Sequence, residues 1–558
     1  MILGIDVGGT HTDAVLIEGC TVKKKAKVIT DENNLINSLL NVTTILFNHE
    51  DPEKLTRVVL STTISTNAIV QHKTDAVGMI LSSGPGLPAA LLPANGLTCM
   101  LSGYVNHRGI EISRIDPQEV RRASDQLTGN GLKHAGIVCK FSTRNPSQEL
   151  AIHDMVKDSF SHISLGHTMS GHLNFPRRIS TTYLNEAVWT RYQHFVDQVL
   201  HFVKERGISV PIYILKADGG TFDIQHSRNC PVQTILSGPA ASIMGILSTA
   251  GCTEDSIALD IGGTTTDIAI FADGVPLLEH FGVTIGGYKT LIRGLRTKSI
   301  PIGGDSRVKY EDGKLQIGPE REGPASALNG PYPTPTDAMI VLGLSDFGDR
   351  GKAEAAIRCL ADAMCTTVTV TAEYIYSLAC QTIASEVQTF IEEINDEPVY
   401  TIHEMLKGRK LTPKTLYIVG GPAESMAKRL TELLKCPSFI PPYFEVANAI
   451  GAALARTTAE ITIHVDTERC ILSIVEDGIQ MSIPPRFSRR DTIQIGKEKL
   501  RAKAMLLGAG ESDLDIEVIE EQEFNMVRES YTTGKNIRVK LQIKPGLISS
   551  VQKGTLTC

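Results

Sequence analysis

Two short stretches of the chain carry the same polar residues around a pair of glycines. Residues 6–13 read DVGGTHTD and residues 260–267 read DIGGTTTD, with six of eight positions identical. Adjacent glycines let backbone N–H groups approach a phosphate closely, because no Cβ intervenes and positive φ is allowed. The hydroxyls of Thr10, Thr12, Thr264, Thr265 and Thr266 stand beside them as donors to phosphate oxygens. Asp6 and Asp260 end the preceding apolar runs, where a carboxylate suits a hydrated Mg²⁺ that takes few protein ligands. Asp13 and Asp267 brace the turns or join the metal's surroundings. The pattern is neither GxxxxGK[ST] nor GxGxxG opening a helix. Its plainer reading is two tight hairpins, since Gly-Gly is a common turn signal. Turns alone do not require the same Asp, Thr and Asp twice. A third pair, Gly420-Gly421, follows the run LYIV (416–419) and precedes ESMAKRLTELLK. A strand ending in glycines before a helix offers flat backbone and a positive dipole end to the nucleoside part of a ligand. It is also ordinary α/β architecture.

The elements that would position these groups follow from the apolar runs. MILGI precedes the first turn and AVLI follows it, while SIAL and IAIF flank the second. Each unit therefore reads as strand, Gly-Gly turn, strand. Two copies 254 residues apart (260 less 6) point to two similar lobes rather than a short-period solenoid. AGIVCKF (135–141) and VPIYIL (210–215) read as interior strands. Glu373 to Ile394 reads as a helix, with Ile375, Ala379, Ile383, Val387, Phe390 and Ile394 on one face. The Pro-, Gly- and Ser-rich segment 324–336 reads as a surface loop. After about residue 460, short alternating runs and charged connectors predict a small strand-rich module. The expected division is 1–240, 241–460 and 461–558.

The chain has 558 residues, well beyond one average domain of roughly 150. Its net charge of −7 gives no reason to expect a nucleic-acid or anionic-membrane surface. No run of 18 apolar residues predicts a membrane span, and the N-terminus has no basic leader. The 11 cysteines include no CxxC pair, so neither a disulfide framework nor a structural zinc site is expected. A reducing cytoplasm is the expected setting.

Longer stretches carry a resemblance. STTISTNAIV (61–70), FPRRISTTYLNEAV (175–188), ADGGTFDIQHSRNCPVQTILSGPAAS (217–242), KLQIGPE (314–320), PTPTDAMIVLG (333–343) and VGGPAESMAKRL (419–430) join the two DxGGTxTD elements. In that order they resemble the A-type subunit of the hydantoinase/oxoprolinase family, which includes acetone carboxylase subunits. That family lies within the acetate/sugar kinase, heat-shock chaperone and actin superfamily. The resemblance implies an α/β fold of two ribonuclease-H-like lobes, an interlobe nucleotide cleft and the small C-terminal module. It implies ATP and Mg²⁺, with Asp6 and Asp260 at the metal. Gly8, Gly9, Thr10, Thr12, Gly262, Gly263, Thr264 and Thr265 would lie on the phosphates, and Gly420 and Gly421 behind the adenosine.

The implied reaction is phosphorylation of a carbonyl oxygen in a small cyclic amide, followed by hydrolysis, often with a B-type partner subunit. Thr63, Asn67 and Arg178 match the family's site region. Thr63 and Asn67 also suit a helix start, and an arginine at 178 could pair with a phosphate or carboxylate. Thr66, Thr181, Thr182 and Asn185 match the same two patches. Ser237, Gly238 and Pro239 would shape the interlobe turn, and Asp337 would cap a helix. The chain departs from the family at Leu60-Ser61, Ala217-Asp218, Gly303-Gly304-Asp305-Ser306-Arg307 and ASALNGPYP (325–333), which are expected near the acceptor. Two other readings stand beside the hydrolase: a small-molecule kinase, and a nucleotide-gated regulatory or assembly subunit. Self-association as a homo-oligomer stays open.

Overall fold

The computed structural model describes residues 1–31, 35–48, 50–88, 92, 96–279, 281–396 and 410–551. The last residues of the expected terminal module, 552–558, lie outside it. In the first lobe the apolar runs around the Gly-Gly turn form β1 (Ile2–Val7) and β2 (His11–Glu18). They continue into β3 (Thr21–Ile29), β4 (Arg57–Thr62), β5 (Ile212–Leu215) and β6 (Thr221–Asp223). The sheet order is β6-β5-β4-β1-β2-β3. β2 is antiparallel to β1 and to β3, whereas β4 is parallel to β1 and β5 to β4. The second lobe repeats this with β7 (Ser256–Ile261), β8 (Thr266–Ala272), β9 (Val275–Pro276), β10 (Thr415–Val419) and β11 (Ser438–Phe439). Its order, β9-β8-β7-β10-β11, has the same directions. The register repeats too: Asp6 pairs Asp13 and Asp260 pairs Asp267.

Both faces of each sheet are covered, which is why the central strands are apolar on both sides. One face of the first sheet packs Leu3, Ile5 and Leu60 against Leu39, Phe195 and Val199. One face of the second packs Leu259 and Ile418 against Ile383, Val387 and Met426. Between the two sheets run the helices Ser237–Ala250 and Ala447–Leu454. They touch backbone to backbone. A Cβ on Gly245 would lie 2.1 Å from the Ala447 carbonyl oxygen, and one on Gly451 would lie 2.0 Å from that of Ala241. No side chain fits there, so small residues at this crossing set how closely the lobes approach.

Three further features differ from or extend the sequence reading. A parallel four-stranded sheet (77–82, 97–100, 134–139 and 162–165) stands beside the first lobe's sheet. The C-terminal strands β12 (Glu460–Asp466), β13 (Ile471–Ile474), β14 (Ile479–Ser482), β15 (Ile516–Arg528) and β16 (Tyr531–Ile543) make an antiparallel sheet. It is covered by a helix, Arg489–Leu506, that the strand-rich reading missed. That helix buries Thr492, Gly496, Leu500 and Ala504, a stripe with one large apolar side chain and hence a faint periodic signal. The segment 324–336 is not a simple surface loop. Ala325, Ser326 and Ala327 are buried, because the Asp337 carboxylate accepts from the Ser326, Ala327 and Thr334 N–H groups.

Candidate functional site

Each Gly-Gly element is a tight hairpin. Gly8 N–H donates to the His11 carbonyl at 3.1 Å, and Gly262 N–H to that of Thr265 at 2.9 Å. The Thr10, Thr264 and Thr265 side chains sit part-exposed on these turns with no hydrogen bond to protein among the described residues. Thr12 and Thr266 differ. Both are fully buried, Thr12 bonded to the Thr30 hydroxyl and Thr266 to the Ile302 carbonyl, so they tie strands together.

The two strand-ending carboxylates meet at one side chain that sequence reading did not single out. Asn448 Nδ2 donates to Asp6 Oδ2 at 3.3 Å and to Asp260 Oδ2 at 3.4 Å. Asn448 sits in the first turn of the 447–454 helix. Ser242, on the 237–250 helix, donates to Asp260 and lies 2.9 Å from Asn448 Oδ1. Thus the two interlobe helices place one bridge across both hairpins. Its only sequence signal is a polar residue inside the small-residue run VANAIGAALA.

The carboxylates crowd each other. Burial holds the Asp6 carboxyl above its ordinary range; hydrogen bonds from Ser61 and Asn448 pull it down, and the charge of Asp260 adds to the rise. Burial, then Asp260, pushes Asp267 up to about 7. Burial also raises Asp13 to about 7, although Lys27 lies 3.0 Å away. Asp6 Oδ1 and Asp13 Oδ1 are buried with no hydrogen-bond partner. Oxygens in this state fit a cation that takes few protein ligands and keeps its waters. No group of three or more His, Cys, Asp or Glu side chains able to hold a metal is found among the described residues, so any such cation has at most two carboxylates here.

Thr63 and Asn67 come to the first hairpin. Asn67 Nδ2 donates to Thr63 Oγ1 at 3.2 Å and would lie 3.4 Å from a Cβ on Gly9. Thr63 precedes the helix Ile64–Val70 but makes no side-chain cap bond. At the second hairpin the Gly303-Gly304-Asp305 segment packs on the Gly262-Gly263 turn. Gly304 N–H donates to Gly262 O at 2.9 Å and Asp305 N–H to Gly263 O at 2.7 Å. Arg321 lies 3.4 Å from the Asp305 carboxylate. Burial, then the charges of Lys27 and Arg321, push His11 of the first turn down to about 4. Arg321 of the second lobe therefore acts on the hairpin of the first. Gly420 has φ +93°, and a Cβ there would fall 2.2 Å from Ile261 O and 2.8 Å from Asp260 Oδ1. Nothing lies within 4 Å of a Cβ on Gly421, so its face is open.

Arg178 is not brought to this cluster. It is fully buried and donates to the backbone carbonyls of His172 (2.9 Å), Cys139 (2.9 Å) and Lys140 (2.6 Å). The second patch around it is likewise committed. Asn185 bonds Ser164, the Asn229 carbonyl and Val232 N–H, and Thr181 accepts from Leu291 N–H. In the first patch, Thr66 accepts from Leu236 N–H at the start of the 237–250 helix. Asp218, another departure, is buried beside Lys216 (3.7 Å) and Arg293 (3.4 Å).

Two sheets with the strand order 3-2-1-4-5, each turning a Gly-Gly hairpin and an aspartate toward the other, define the two-lobed fold of actin and the sugar kinases. The chain belongs to the hydantoinase/oxoprolinase family: the description "Hydantoinase/oxoprolinase" matches residues 178–461, and "Hydantoinase/oxoprolinase N-terminal region" matches residues 2–160. Caprolactamase subunit alpha of Pseudomonas jessenii is 25% identical over 382 residues, covering 61% of this chain and 54% of that protein. The 5-oxoprolinase of Saccharomyces cerevisiae is 29% identical over 245 residues, 42% of this chain and 18% of its own. The chain thus spans about half of the first relative and a small part of the second. The nucleotide-free structure of acetone carboxylase superposes with a TM-score of 0.76 at 17% identity, covering 99% of this chain and 88% of that one.

Proposed function

We propose that the chain binds ATP with Mg²⁺ between the two hairpins and activates the carbonyl of a small cyclic amide by phosphoryl transfer before hydrolysis. The observation that carries this reading is the Asp6–Asn448–Asp260 bridge between two matched Gly-Gly turns. The turn N–H groups and the unbonded hydroxyls of Thr10, Thr264 and Thr265 would cradle the phosphates. Asp6 and Asp260 would hold the Mg²⁺, which when bound supplies charge neutralisation to the transferring group. Asn448 keeps the two carboxylates aligned. Gly420 lets the chain pass close to Asp260, and the open face of Gly421 would back the adenosine. Thr63 and Asn67, beside Gly9, would orient the acceptor or terminal phosphate. Arg321, steadied by Asp305, brings a cation to the rim where charge develops.

An amide is a poor electrophile, and a phosphorylated oxygen becomes a leaving group. Holding both reactants in register is where such a site gains most of its rate. The relatives named as subunits support a B-type partner, and the reading places the work in the cytoplasm. No single helix among the described residues is long and apolar enough to cross a membrane. The test is phosphate release from Mg-ATP with a panel of lactams and hydantoins, with and without a B-type subunit, and mass analysis of the product. A ring-opened acid is expected, and its loss in Asp6→Asn and Asp260→Asn. A stable phosphorylated product would instead mark a kinase. No detectable Mg-ATP binding by calorimetry would overturn the reading.

A further inference from the structure

Away from the cleft, the polar face of the C-terminal sheet closes against the first lobe around a small cavity of about 30 Å³. Its walls include Arg108 and Arg144 from the first lobe and His464, Asp466, Arg469 and Asn536 from the terminal module. A fourth arginine, Arg538, neighbours His464 across the sheet but is not part of the cavity wall. Three carboxylates face these four arginines, and each is already engaged. Asp466 and Glu468 pair with Arg108 at 3.0 Å and 2.5 Å, and Glu520 pairs with Arg538 at 3.1 Å. No carboxylate among the described residues lies within ion-pair distance of Arg144. Its one side-chain partner is His464 Nδ1, which accepts from Nη1, so the imidazole is neutral there. The Nε atoms of Arg108, Arg144 and Arg538 and Nη2 of Arg538 are buried with no hydrogen-bond partner. Burial, and then the charge of Arg538, push the Arg144 guanidinium down to about 10. Arg144 thus lines the cavity beside Arg108 and Arg469 with no carboxylate of its own, and buried donors of Arg108, Arg144 and Arg538 stay unpaired at this seam, an arrangement that costs free energy unless something neutralises it.

We propose that this seam is a binding site for a small oxyanion, a carboxylate or a phosphate, gripped by Arg144 from the first lobe and Arg469 from the terminal module. A cavity of this size holds two or three waters, each needing roughly 10–15 Å³, or the head of one such anion. Guanidinium groups match planar oxyanions through paired N–H donors. Exposed His107, Arg469 and Gln480 give the cavity a route to solvent. Occupancy would also clamp the terminal module to the first lobe, since Arg469 Nη1 donates to Arg108 O and Gln480 Nε2 to Arg144 O across the same seam.

The test compares melting of the full chain in chloride, acetate and inorganic phosphate at one ionic strength. The wild-type Tm is expected to rise saturably with acetate, with phosphate or with both. Acetate alone identifies a carboxylate site and phosphate alone a free-phosphate site. Arg144→Gln should melt no lower than wild-type in chloride, because the repulsion from Arg538 is relieved. Its anion response should weaken at least tenfold. Arg469→Gln, on the other side of the seam, should lose the response in the same way. In wild-type, the anion should slow amide exchange at residues 106–109 and 464–466. A phosphate response that survives both substitutions belongs elsewhere and would overturn the proposal, as would a wild-type chain indifferent to both anions.

Discussion

Among single residues, Asn448 has the largest predicted effect. Its amide is the only group bonded to both Asp6 and Asp260 among the described residues. Asn448→Ala should weaken Mg-ATP binding measured by calorimetry about tenfold, corresponding to roughly one lost hydrogen bond to a charged group. Arg321→Ala should lower turnover with little change in nucleotide affinity, if its charge acts on the transferring group. Arg178→Ala should act on stability instead, removing a fully buried side chain and its bonds to the His172, Cys139 and Lys140 carbonyls. A second residue-scale prediction concerns pH. Glu186 is buried and accepts from His134 Nδ1, His162 Nδ1 and Ser164 Oγ at 2.8, 2.8 and 2.6 Å. Burial pushes Glu186 up, but those bonds outweigh it and hold it below the ordinary range. The bond to Glu186, against burial, holds His134 above its own. A lowered carboxylate stabilises the fold above its unfolded pKa, and a raised histidine stabilises it below its own. The stability gap between wild-type and Glu186→Gln should therefore be widest at about pH 5–6, between the free values of Glu and His. It should narrow toward pH 8 and toward pH 3 in urea unfolding. A gap independent of pH would refute the coupling.

At the scale of elements, the strands were the most legible part of the sequence. Apolar runs flanking Gly-Gly turns became β1, β2, β7 and β8, and LYIV became β10, because buried strands are marked by composition as well as period. The 489–506 helix was not legible, since its buried stripe is mostly small or polar. Nor was the infolding of 324–336, which depends on the Asp337 carboxylate satisfying three N–H groups. Of the candidate site, the hairpins could be read from spacing, while Asn67 was singled out only by the family resemblance. Asn448 and Ser242 could be read from neither, because tertiary packing alone brings two helices 200 residues apart to one point. Element-scale substitutions should report this packing. Gly420→Ala puts a Cβ 2.2 Å from a carbonyl oxygen at a positive φ. It should abolish measurable nucleotide binding while leaving far-UV circular dichroism unchanged. Gly451→Val overpacks the interlobe crossing and should cost roughly 1–3 kcal/mol or more in denaturant unfolding.

For the whole molecule, the two lobes meet through two short helices, the Asn448 bridge and contacts such as Leu291 N–H to Thr181 and Arg293 to Asp218. A ligand seated on both hairpins binds the folded chain alone, and at a hundredfold excess over its Kd should add about 2.7 kcal/mol of stability. Mg-ATP should thus raise the melting temperature of wild-type and leave that of Asp260→Asn nearly unchanged. A rise of equal size in both would place the nucleotide elsewhere.

The two bonds of the Asn448 amide, at 3.3 and 3.4 Å, both sit near the long limit for such contacts. One short side chain thus spans from the first sheet to the second with almost no slack. Any rotation of one half against the other lengthens one bond before the other and breaks the tie. The amide is therefore a gauge of the angle between the halves. A ¹⁵N label at that single nitrogen would read out, by its chemical shift, how far the molecule has swung.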